Sequence, residues 1–180
     1  MNDIPEPHYR PLERDDIVRL PEIDRSEVAD QHYVVRDHQL VLLDEGFTHP
    51  GWDQAYYDVR LPRLYTSYDH EGSGWSILTD DRLVGISVLD GRWIGPAHDT
   101  LDLTFFHVSR ELRGQGAGRK LWDLSLDLAR SRGAKHLYVS SSDSRNTVNF
   151  YLARGMHLAA APDPALFKVS PTDIHLVMPL

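Results

Sequence analysis

A glycine-rich turn is the stretch of this sequence best suited to chemistry. Residues 113–118 read Arg-Gly-Gln-Gly-Ala-Gly and follow an apolar run that ends at Val108. If a helix begins within the turn, its first N–H groups are unpaired and carry a partial positive charge, and the glycines let an anion approach the backbone closely. Arg113, Arg119 and Lys120 add positive charge. The stretch therefore predicts an anion site, most simply for a phosphate group.

Other known binding and catalytic motifs do not match the sequence. A P-loop needs Gly-Lys followed by Ser or Thr, whereas Gly118 is followed by Arg-Lys-Leu. A dinucleotide fingerprint needs its third glycine at position 119 or 121, which are arginine and leucine. The sequence has no Gly-x-Ser-x-Gly elbow, and none of its ten histidines belongs to a His-x-x-x-His or His-Glu pair at metal-ligand spacing. Neither serine hydrolase chemistry nor a metal site is predicted.

The composition is that of an ordinary globular protein. The chain has 180 residues, of which 26% are charged and 41% hydrophobic, and this predicts one domain. The absence of cysteine excludes disulfides, cysteine-ligated zinc or iron–sulfur sites and a thiolate nucleophile. No apolar run reaches about 18 residues, and the first residues do not resemble a secretory signal. We expect a cytoplasmic protein without a membrane partner.

The net charge of −8 is unevenly distributed. Residues 1–70 contain fifteen acidic and seven basic residues, whereas residues 110–135 contain three acidic and seven basic residues. The acidic total argues against a nucleic-acid partner, because phosphate neutralisation needs a broad basic face. The basic segment surrounds the glycine-rich turn and suits the predicted anion site.

The second half of the chain has the clearest periodicity. Alternating apolar residues predict strands over 75–78, 83–89 and 101–108, and the stripe of Leu121, Leu124 and Leu128 predicts a helix over 117–132. A strand over 136–142, a helix over 144–154 and strands near 157–160 and 174–178 complete the pattern. We expect an α+β fold around a mixed sheet.

The first half is harder to interpret. A short strand is predicted over 9–12, and a hairpin joins 33–35 to 39–43. Ile17, Leu20 and Ile23 recur at helical spacing around Pro21. Residues 46–74 show no clear period, and the aromatic residues from Trp52 to Tyr68 either pack in the core or line a pocket for a cationic amine.

Two motifs resemble one family. The turn at 113–118 matches the coenzyme A signature of the GNAT acetyltransferases, Gln/Arg-x-x-Gly-x-Gly/Ala, and residues 149–156 are similar to the family's Phe-Tyr-x-x-x-Gly-Phe segment, with Met156 in the last place. The resemblance covers roughly residues 75–178. It implies a single N-acetyltransferase domain over 1–180, divided into an N-terminal acceptor-side section (1–74) and an acetyl-CoA-binding core (75–180). Its central sheet would be mainly antiparallel, flanked by helices, with a splayed strand ending in the pyrophosphate loop.

The resemblance also implies the cofactor contacts. Backbone N–H groups of the turn would bind the pyrophosphate together with Arg119, and Phe106 to Val108 would pair with the pantetheine amides. The Val108 N–H would polarise the thioester carbonyl. Asn146 would bond the pantetheine arm, although the family's more usual asparagine lies where this chain has Ser144. The residues implied in cofactor binding are Phe106, Val108, Arg113, Gly114, Gln115, Gly116, Ala117, Gly118, Arg119 and Asn146.

Proton transfer involves further candidates. By resemblance Tyr151 would lie near the sulfur as general acid; the alternative is a tyrosine whose ring packs in the core beside Val148 and Leu152. An alkyl ammonium must lose a proton before it can attack. Asp102, His107 or a water chain can remove it, and strand alternation places the two side chains on opposite faces unless a bulge separates them.

The expected function is transfer of an acetyl group from acetyl-CoA to a primary amine by direct attack in a ternary complex. The acidic N-terminal section predicts a positively charged acceptor, a small molecule or a peptide. The alternatives are a non-catalytic acyl-CoA sensor or interaction domain and, more remotely, a phosphate-binding regulatory domain. The sequence leaves the oligomeric state open, a homodimer included.

Overall fold

The computed structural model describes residues 6–180 as an α+β fold. The strands are β1 (His8–Pro11), β2 (Glu27–Ala29), β3 (His32–Arg36), β4 (Gln39–Leu43), β5 (Phe47–His49), β6 (Ser73–Thr79), β7 (Arg82–Ile94), β8 (Thr100–Val108), β9 (His136–Ser141), β10 (His157–Leu158) and β11 (Ile174–Pro179). The helices are α1 (Gln54–Asp69), α2 (Ala117–Ser131), α3 (Arg145–Leu152) and α4 (Pro164–Val169), with 3₁₀ helices at Arg14–Glu22 and Arg110–Leu112. The predicted fold class is confirmed.

Seven strands form the central sheet in the order β1-β6-β7-β8-β9-β11-β10. Among these pairs β8 and β9 run parallel, and the others are antiparallel. Two separate hairpin-like pairs, β2 with β5 and β3 with β4, lie in the N-terminal section. The predicted hairpin is therefore present, and Asp37 and His38 at its turn adopt positive φ angles, as a tight two-residue connection requires.

Helices cover the sheet with three apolar clusters. One joins β7 and β8 to the first 3₁₀ helix and α1, with Ile17, Leu20 and Ile23 fully buried. The other two join the sheet to α2 and α3, with Leu121 and Trp122 buried. The apolar residues that recur at helical spacing in this segment are therefore buried on one side of a helix. The helix at Arg14–Glu22, which contains Pro21, is a 3₁₀ helix rather than an α-helix.

Helix α1 is the main element that the sequence did not predict. Asp53 caps it by accepting a hydrogen bond from the Tyr56 N–H at 2.8 Å, and Pro62 lies inside it. Its apolar face consists largely of tyrosine rings, whose hydroxyls reach backbone oxygens: Tyr57 donates to Val18 at 2.9 Å and Tyr68 to Leu12 at 3.3 Å. The helical spacing of Leu61, Leu64, Tyr65 and Tyr68 was the signal that could have found it.

A bulge in β8 decides which way its side chains point. Val88 pairs with Phe105 but the next residue, Leu89, pairs with Leu103, so Thr104 is an extra residue in β8. One extra residue reverses the alternation of a strand. Asp102 and His107 therefore lie on the same face of β8, the face that carries α1, instead of on opposite faces.

Within residues 6–180, no helix is both long enough and apolar enough to cross a membrane.

Candidate active site

A cavity of about 1150 Å³ opens where β8 and β9 separate. Their parallel pairing ends at Asp102 and Tyr138, whereas β8 continues to Val108 and β9 to Ser141. The separating strands leave a gap inside the sheet. The walls of the gap are β8, the end of β9, helix α3 and residues 113–119, which we call the anion loop.

The end of β8 presents free backbone donors to this gap. The Ser109 N–H donates to the Val84 carbonyl of β7 at 2.8 Å. Because successive N–H groups of a strand point to opposite edges, the N–H of Val108 points away from β7 and into the gap. The N–H of Phe106, two residues earlier, points the same way. The resemblance implied donors at these two positions, and both line the cavity.

The anion loop leaves the N-terminus of α2 uncapped. Its N-cap is Gly116, at a φ of 89°, and no side chain bonds the first turn. Within the described chain the N–H groups of Gly116, Ala117, Gly118 and Arg119 have no acceptor, as is usual for the first turn of a helix. A Ser or Asp at the N-cap would have occupied them. Four aligned donors at the positive end of a 15-residue helix can hold a pyrophosphate.

Arg113 has a different surrounding from the rest of the loop. Its guanidinium donates to three backbone carbonyls, those of Val108 at 3.1 Å, Ser26 at 2.9 Å and Asp24 at 3.4 Å. Arg119, by contrast, is exposed at the cavity edge. Arg113 therefore ties the anion loop to β8 and to the N-terminal section, and Arg119 is the side chain with a free charge.

Tyr151 lies in α3 with its ring buried and its hydroxyl at the cavity. The residue is 4% exposed, and its ring packs against Trp122 at 5.6 Å and Phe150 at 5.3 Å between centroids. Among residues 6–180 its hydroxyl has no hydrogen-bond partner. Burial raises the pKa of Tyr151 above its ordinary value, so the phenol keeps its proton. The ring packs in the core, as one interpretation of the sequence expected, and the residue also borders the cavity. The role of general acid stays a prediction.

Asn146 and Ser144 lie at the start of α3 with distinct partners. Asn146 lines the cavity, and its Nδ2 donates to Glu27 Oε1 at 3.4 Å. Ser144 is fully buried as the N-cap of α3 and bonds the N–H and hydroxyl of Thr147. Ser144 thus caps α3. Asn146 is the polar side chain at the start of α3 that can bond a ligand in the cavity.

The two candidate bases differ in access to the cavity. His107 lines it, with its ring 4.5 Å from that of Phe105. Burial, followed by the charge of Arg25, lowers the pKa of His107 well below its ordinary value. Asp102 is 3% exposed, is absent from the cavity walls, and has one carboxylate oxygen that finds no partner within residues 6–180. Burial, reinforced by Asp90, raises the pKa of Asp102 to about 7.

The N-terminal section supplies one wall of the cavity, and Tyr56 is its one residue that the sequence had offered for a pocket. This wall consists of Arg25, Ser26, Glu27, Val28, Phe47, His49, Tyr56 and Arg60, which we call the acceptor wall. Of the fourteen acidic residues that the structure describes between positions 6 and 70, Glu27 alone belongs to it. Of the aromatic residues between Trp52 and Tyr68, Tyr56 faces the cavity, whereas Trp52, Tyr57, Tyr65 and Tyr68 pack on the core. The section also completes the sheet, because β1 pairs with β6.

The described residues contain no group of three or more His, Cys, Asp or Glu side chains placed to hold a metal ion. The donors that are present suit a different ligand. A gap with unpaired strand N–H groups accepts an amide-bearing arm, and an uncapped helix accepts a pyrophosphate. Both features fit acetyl-CoA.

Comparison with known proteins agrees with this geometry. The model of the acetyltransferase (GNAT) family matches residues 36–156. Nourseothricin acetyltransferase is similar in structure, with 22% identity, a TM-score of 0.68 and coverage of 96% of this chain and 98% of that one. A putative streptothricin acetyltransferase from Bacillus anthracis in complex with acetyl coenzyme A gives 14% identity, a TM-score of 0.69 and coverage of 97% and 99%.

A third similar structure is the ribosomal-protein-S18-alanine N-acetyltransferase from Escherichia coli, with 14% identity, a TM-score of 0.57 and coverage of 97% and 94%. At such identities the likeness is one of fold. No curated protein matches the sequence. The family model spans more than half of the chain and includes the anion loop, β8 and α3. The chain therefore belongs to the GNAT acetyltransferase family and is an acetyl-CoA-dependent acyltransferase.

Proposed function

We propose that this acetyltransferase acetylates a primary amine by direct attack of the amine on the thioester within a ternary complex. The observation that carries the proposal is that donor and acceptor sides share one cavity: the Val108 N–H, the Tyr151 hydroxyl and the acceptor wall all border it. A shared cavity allows direct transfer, and the chain has no cysteine to hold the acyl group. We assign residues 75–180 to the donor and residues 1–74 to the acceptor.

Backbone groups hold the donor in this proposal. The free N–H groups at the start of α2 bind the pyrophosphate, with Arg119 adding charge, and the Phe106 N–H pairs with an amide of the pantetheine arm. Asn146 bonds the same arm from α3. Bound in this way, acetyl-CoA supplies an activated acyl group. The Val108 N–H then meets the carbonyl oxygen, where a well-placed donor contributes about 3 kcal/mol to transition-state stabilisation.

His107 removes the proton from the attacking ammonium, directly or through water. An ammonium with a pKa of about 10.4 is almost fully protonated at neutral pH. His107 borders the cavity, and Asp102 does not. Because its pKa is lowered, His107 does not retain the proton but passes it towards solvent. Glu27, Asp143 and Asp173 also border the cavity, and their negative charge attracts the ammonium.

Tyr151 stabilises the leaving sulfur by hydrogen bonding. Complete transfer of a proton from a phenol of pKa about 10 to a thiolate of pKa about 8.5 is uphill by roughly 2 kcal/mol. Burial raises the pKa of Tyr151 further. The hydroxyl therefore donates a hydrogen bond while negative charge builds on sulfur and keeps its own proton. The thiolate takes its final proton from solvent, and the attacking nitrogen releases one proton in exchange.

Calorimetric titration with acetyl-CoA, followed by an amine screen for released thiol, tests the proposal. We expect micromolar binding and amine-dependent thiol release. Gly116→Val should abolish binding, because a side chain would stand among the phosphate donors. Gly133→Val is the matched control: Gly133 follows the other end of α2, also has a φ of 89° and open space around its Cβ position, and does not border the cavity. Binding without thiol release by any amine would contradict the proposal.

A further inference from the structure

Two arginines of the acceptor wall lie on one tyrosine ring. The guanidinium carbon of Arg25 is 4.2 Å from the centroid of the Tyr56 ring, and that of Arg60 is 5.1 Å from it. Arg25 also stacks on Trp52 at 4.9 Å. The aromatic rings confine two planar cations to one small region at the cavity.

Neither arginine has a carboxylate partner in residues 6–180. Six of the other fourteen arginines lie within 4.0 Å of an acidic group: Arg10, Arg14, Arg19, Arg82, Arg92 and Arg130. Arg25 instead bonds His49 through Nη2 at 2.8 Å. Glu27, the acidic member of the acceptor wall, interacts with Asn146. The two positive charges at the cavity are therefore uncompensated.

One guanidinium nitrogen of Arg25 is also buried without a hydrogen-bond acceptor. Arg25 Nη1 is inaccessible to solvent and makes no hydrogen bond to any described residue. Buried donors are almost always satisfied, so Arg25 has a donor that the described chain does not use, and a carboxylate reaches it when the Arg25 side chain turns into the cavity that it lines. The planar fork of arginine matches a carboxylate, which accepts two parallel hydrogen bonds.

The titratable groups beside Arg25 are two neutral histidines. His49 and His107 face Arg25, and its charge contributes with burial to lowering the pKa of both imidazoles. Both rings are therefore neutral near pH 7 and do not repel the ammonium of the acceptor. Carboxylates border the cavity elsewhere, at Asp143 beyond the end of β9 and at Asp173 before β11. The cavity thus has an anion-binding wall and, separately, acidic groups.

We infer that the acceptor is an amine that also carries a carboxylate, an amino acid or an amino-acid-like compound, with the carboxylate held by Arg25 and Arg60. This inference rests on the proposed function and refines it. The acidic composition of residues 1–70 predicted a cationic acceptor, but most of those acids lie away from the cavity. The charges at the cavity itself are complementary to a zwitterion.

Matched pairs of amines that differ by one carboxylate test the inference. The pairs are lysine and cadaverine, phenylalanine and phenethylamine, and each amino acid with its amide. We expect kcat/KM for at least one amino acid to exceed that of its decarboxylated partner about tenfold or more, as for a charge-assisted contact. Equal or better turnover of the decarboxylated amines would overturn the inference and leave the proposed function standing. No thiol release with any amine would overturn both.

Variants assign the effect to the two arginines. Arg60→Met should lower kcat/KM for the preferred amino acid about tenfold and leave its decarboxylated partner nearly unchanged. Arg25→Lys keeps the charge but removes the fork, and it should give a smaller loss of the same kind. Arg14→Met is the matched control, because Arg14 also stacks on a tyrosine, Tyr65 at 4.4 Å, away from the cavity. An equal loss for both amines, or a rise in KM for acetyl-CoA alone, would show that the arginines do not bind the acceptor carboxylate.

Discussion

Arg113 donates from Nη1 to the carbonyl oxygen of Ser26 at 2.9 Å, across 87 positions of sequence. The same guanidinium bonds the Val108 carbonyl, and the Arg110 N–H donates to the Asp24 carbonyl at 2.9 Å. The segment that continues into the acceptor wall at Arg25 is thus fastened to the end of β8 and to the start of the anion loop. The anion loop and the N-terminal wall of the cavity are joined by these hydrogen bonds as well as by the sheet.

Removing the Arg113 guanidinium should therefore weaken both substrate sites. For Arg113→Met we expect KM to rise several-fold for acetyl-CoA and also for the acceptor, because the loop and residues 24–26 lose their shared anchor. Arg119→Met is the comparison, since Arg119 has no such contact and should affect KM for acetyl-CoA alone. Steady-state kinetics with each substrate varied in turn measures this. Equal effects of the two variants on the acceptor would contradict the assigned role.

The backbone at Gly116 should matter for binding beyond its effect on stability. A valine at a φ of 89° is strained by about 1–3 kcal/mol wherever it occurs, so Gly116→Val and Gly133→Val should lose similar thermal stability. Only Gly116→Val should lose acetyl-CoA binding. Melting curves with and without acetyl-CoA separate the two effects: ligand should raise the Tm of Gly133→Val but not that of Gly116→Val.

Tyr151→Phe should lower kcat about a hundredfold, within the range for loss of a positioned hydrogen-bond donor to developing negative charge, with little change in acetyl-CoA affinity. The ring keeps its contacts with Trp122 and Phe150, and the hydroxyl has no partner within residues 6–180 to lose, so stability should change by less than about 1 kcal/mol.

A second buried tyrosine provides the control for this variant. Tyr138 shares a hydrogen bond with His175 Nδ1 at 2.8 Å and accepts one from the Asp163 N–H at 3.1 Å. Tyr138→Phe should therefore lose stability, by about 1 kcal/mol for each bond, and keep its kcat. The reverse pattern in the two variants would remove Tyr151 from the mechanism.

Asp102→Asn should stabilise the protein at alkaline pH. Burial raises the folded-state pKa of Asp102 to about 7 from its ordinary value of 3.8, so the folded state holds this proton more tightly than the unfolded state. The penalty for ionising a buried carboxyl is absent below pH 3.8, grows as the pH rises and is complete above about pH 7. It reaches roughly 4 kcal/mol at most. Urea unfolding at pH 5 and pH 8 should show a larger gain for the variant at pH 8.

The pH profile of kcat distinguishes the two candidate bases. The pKa of His107 is lowered well below 6.5, so His107 is neutral throughout the range from pH 6.5 to 8. If His107 is the base, the fall of kcat at acidic pH should therefore lie below pH 6.5. An acid limb near pH 7 that disappears in Asp102→Asn would assign the base to Asp102. We expect His107→Gln to lower kcat and Asp102→Asn to leave the profile between pH 6.5 and 8 unchanged.

The sequence predicted the elements whose signals are local. The anion loop, α2 and the strand ending at Val108 were found because glycines, an apolar stripe and an alternating run each lie within about 16 contiguous residues. Helix α1 was missed because tyrosines with backbone-bonded hydroxyls replace the aliphatic stripe. The helical spacing of Leu61, Leu64, Tyr65 and Tyr68 is present, but half of it consists of tyrosines and Pro62 lies within it.

The acceptor side could not be predicted for a different reason. Arg25 and Arg60 are ordinary surface residues by sequence, and tertiary packing on Tyr56 brings them together at the cavity. The shared face of Asp102 and His107 likewise depends on one extra residue at Thr104, which pairing with β7 reveals and periodicity does not. Motif-bearing residues could thus be identified individually, whereas their partners required the three-dimensional arrangement.

The gap between β8 and β9 gives the sheet an internal edge. Unpaired strand N–H groups are templates for extended chains, and here that template lies inside a cavity where another protein strand cannot easily reach it. An amide-bearing arm in the gap takes the place of a missing strand, in the manner of β-augmentation. Filling it should slow amide hydrogen exchange at Phe106 and Val108 and add stability, about 2.7 kcal/mol at a ligand concentration one hundred times Kd. The donor is then, while it is bound, a removable part of the architecture.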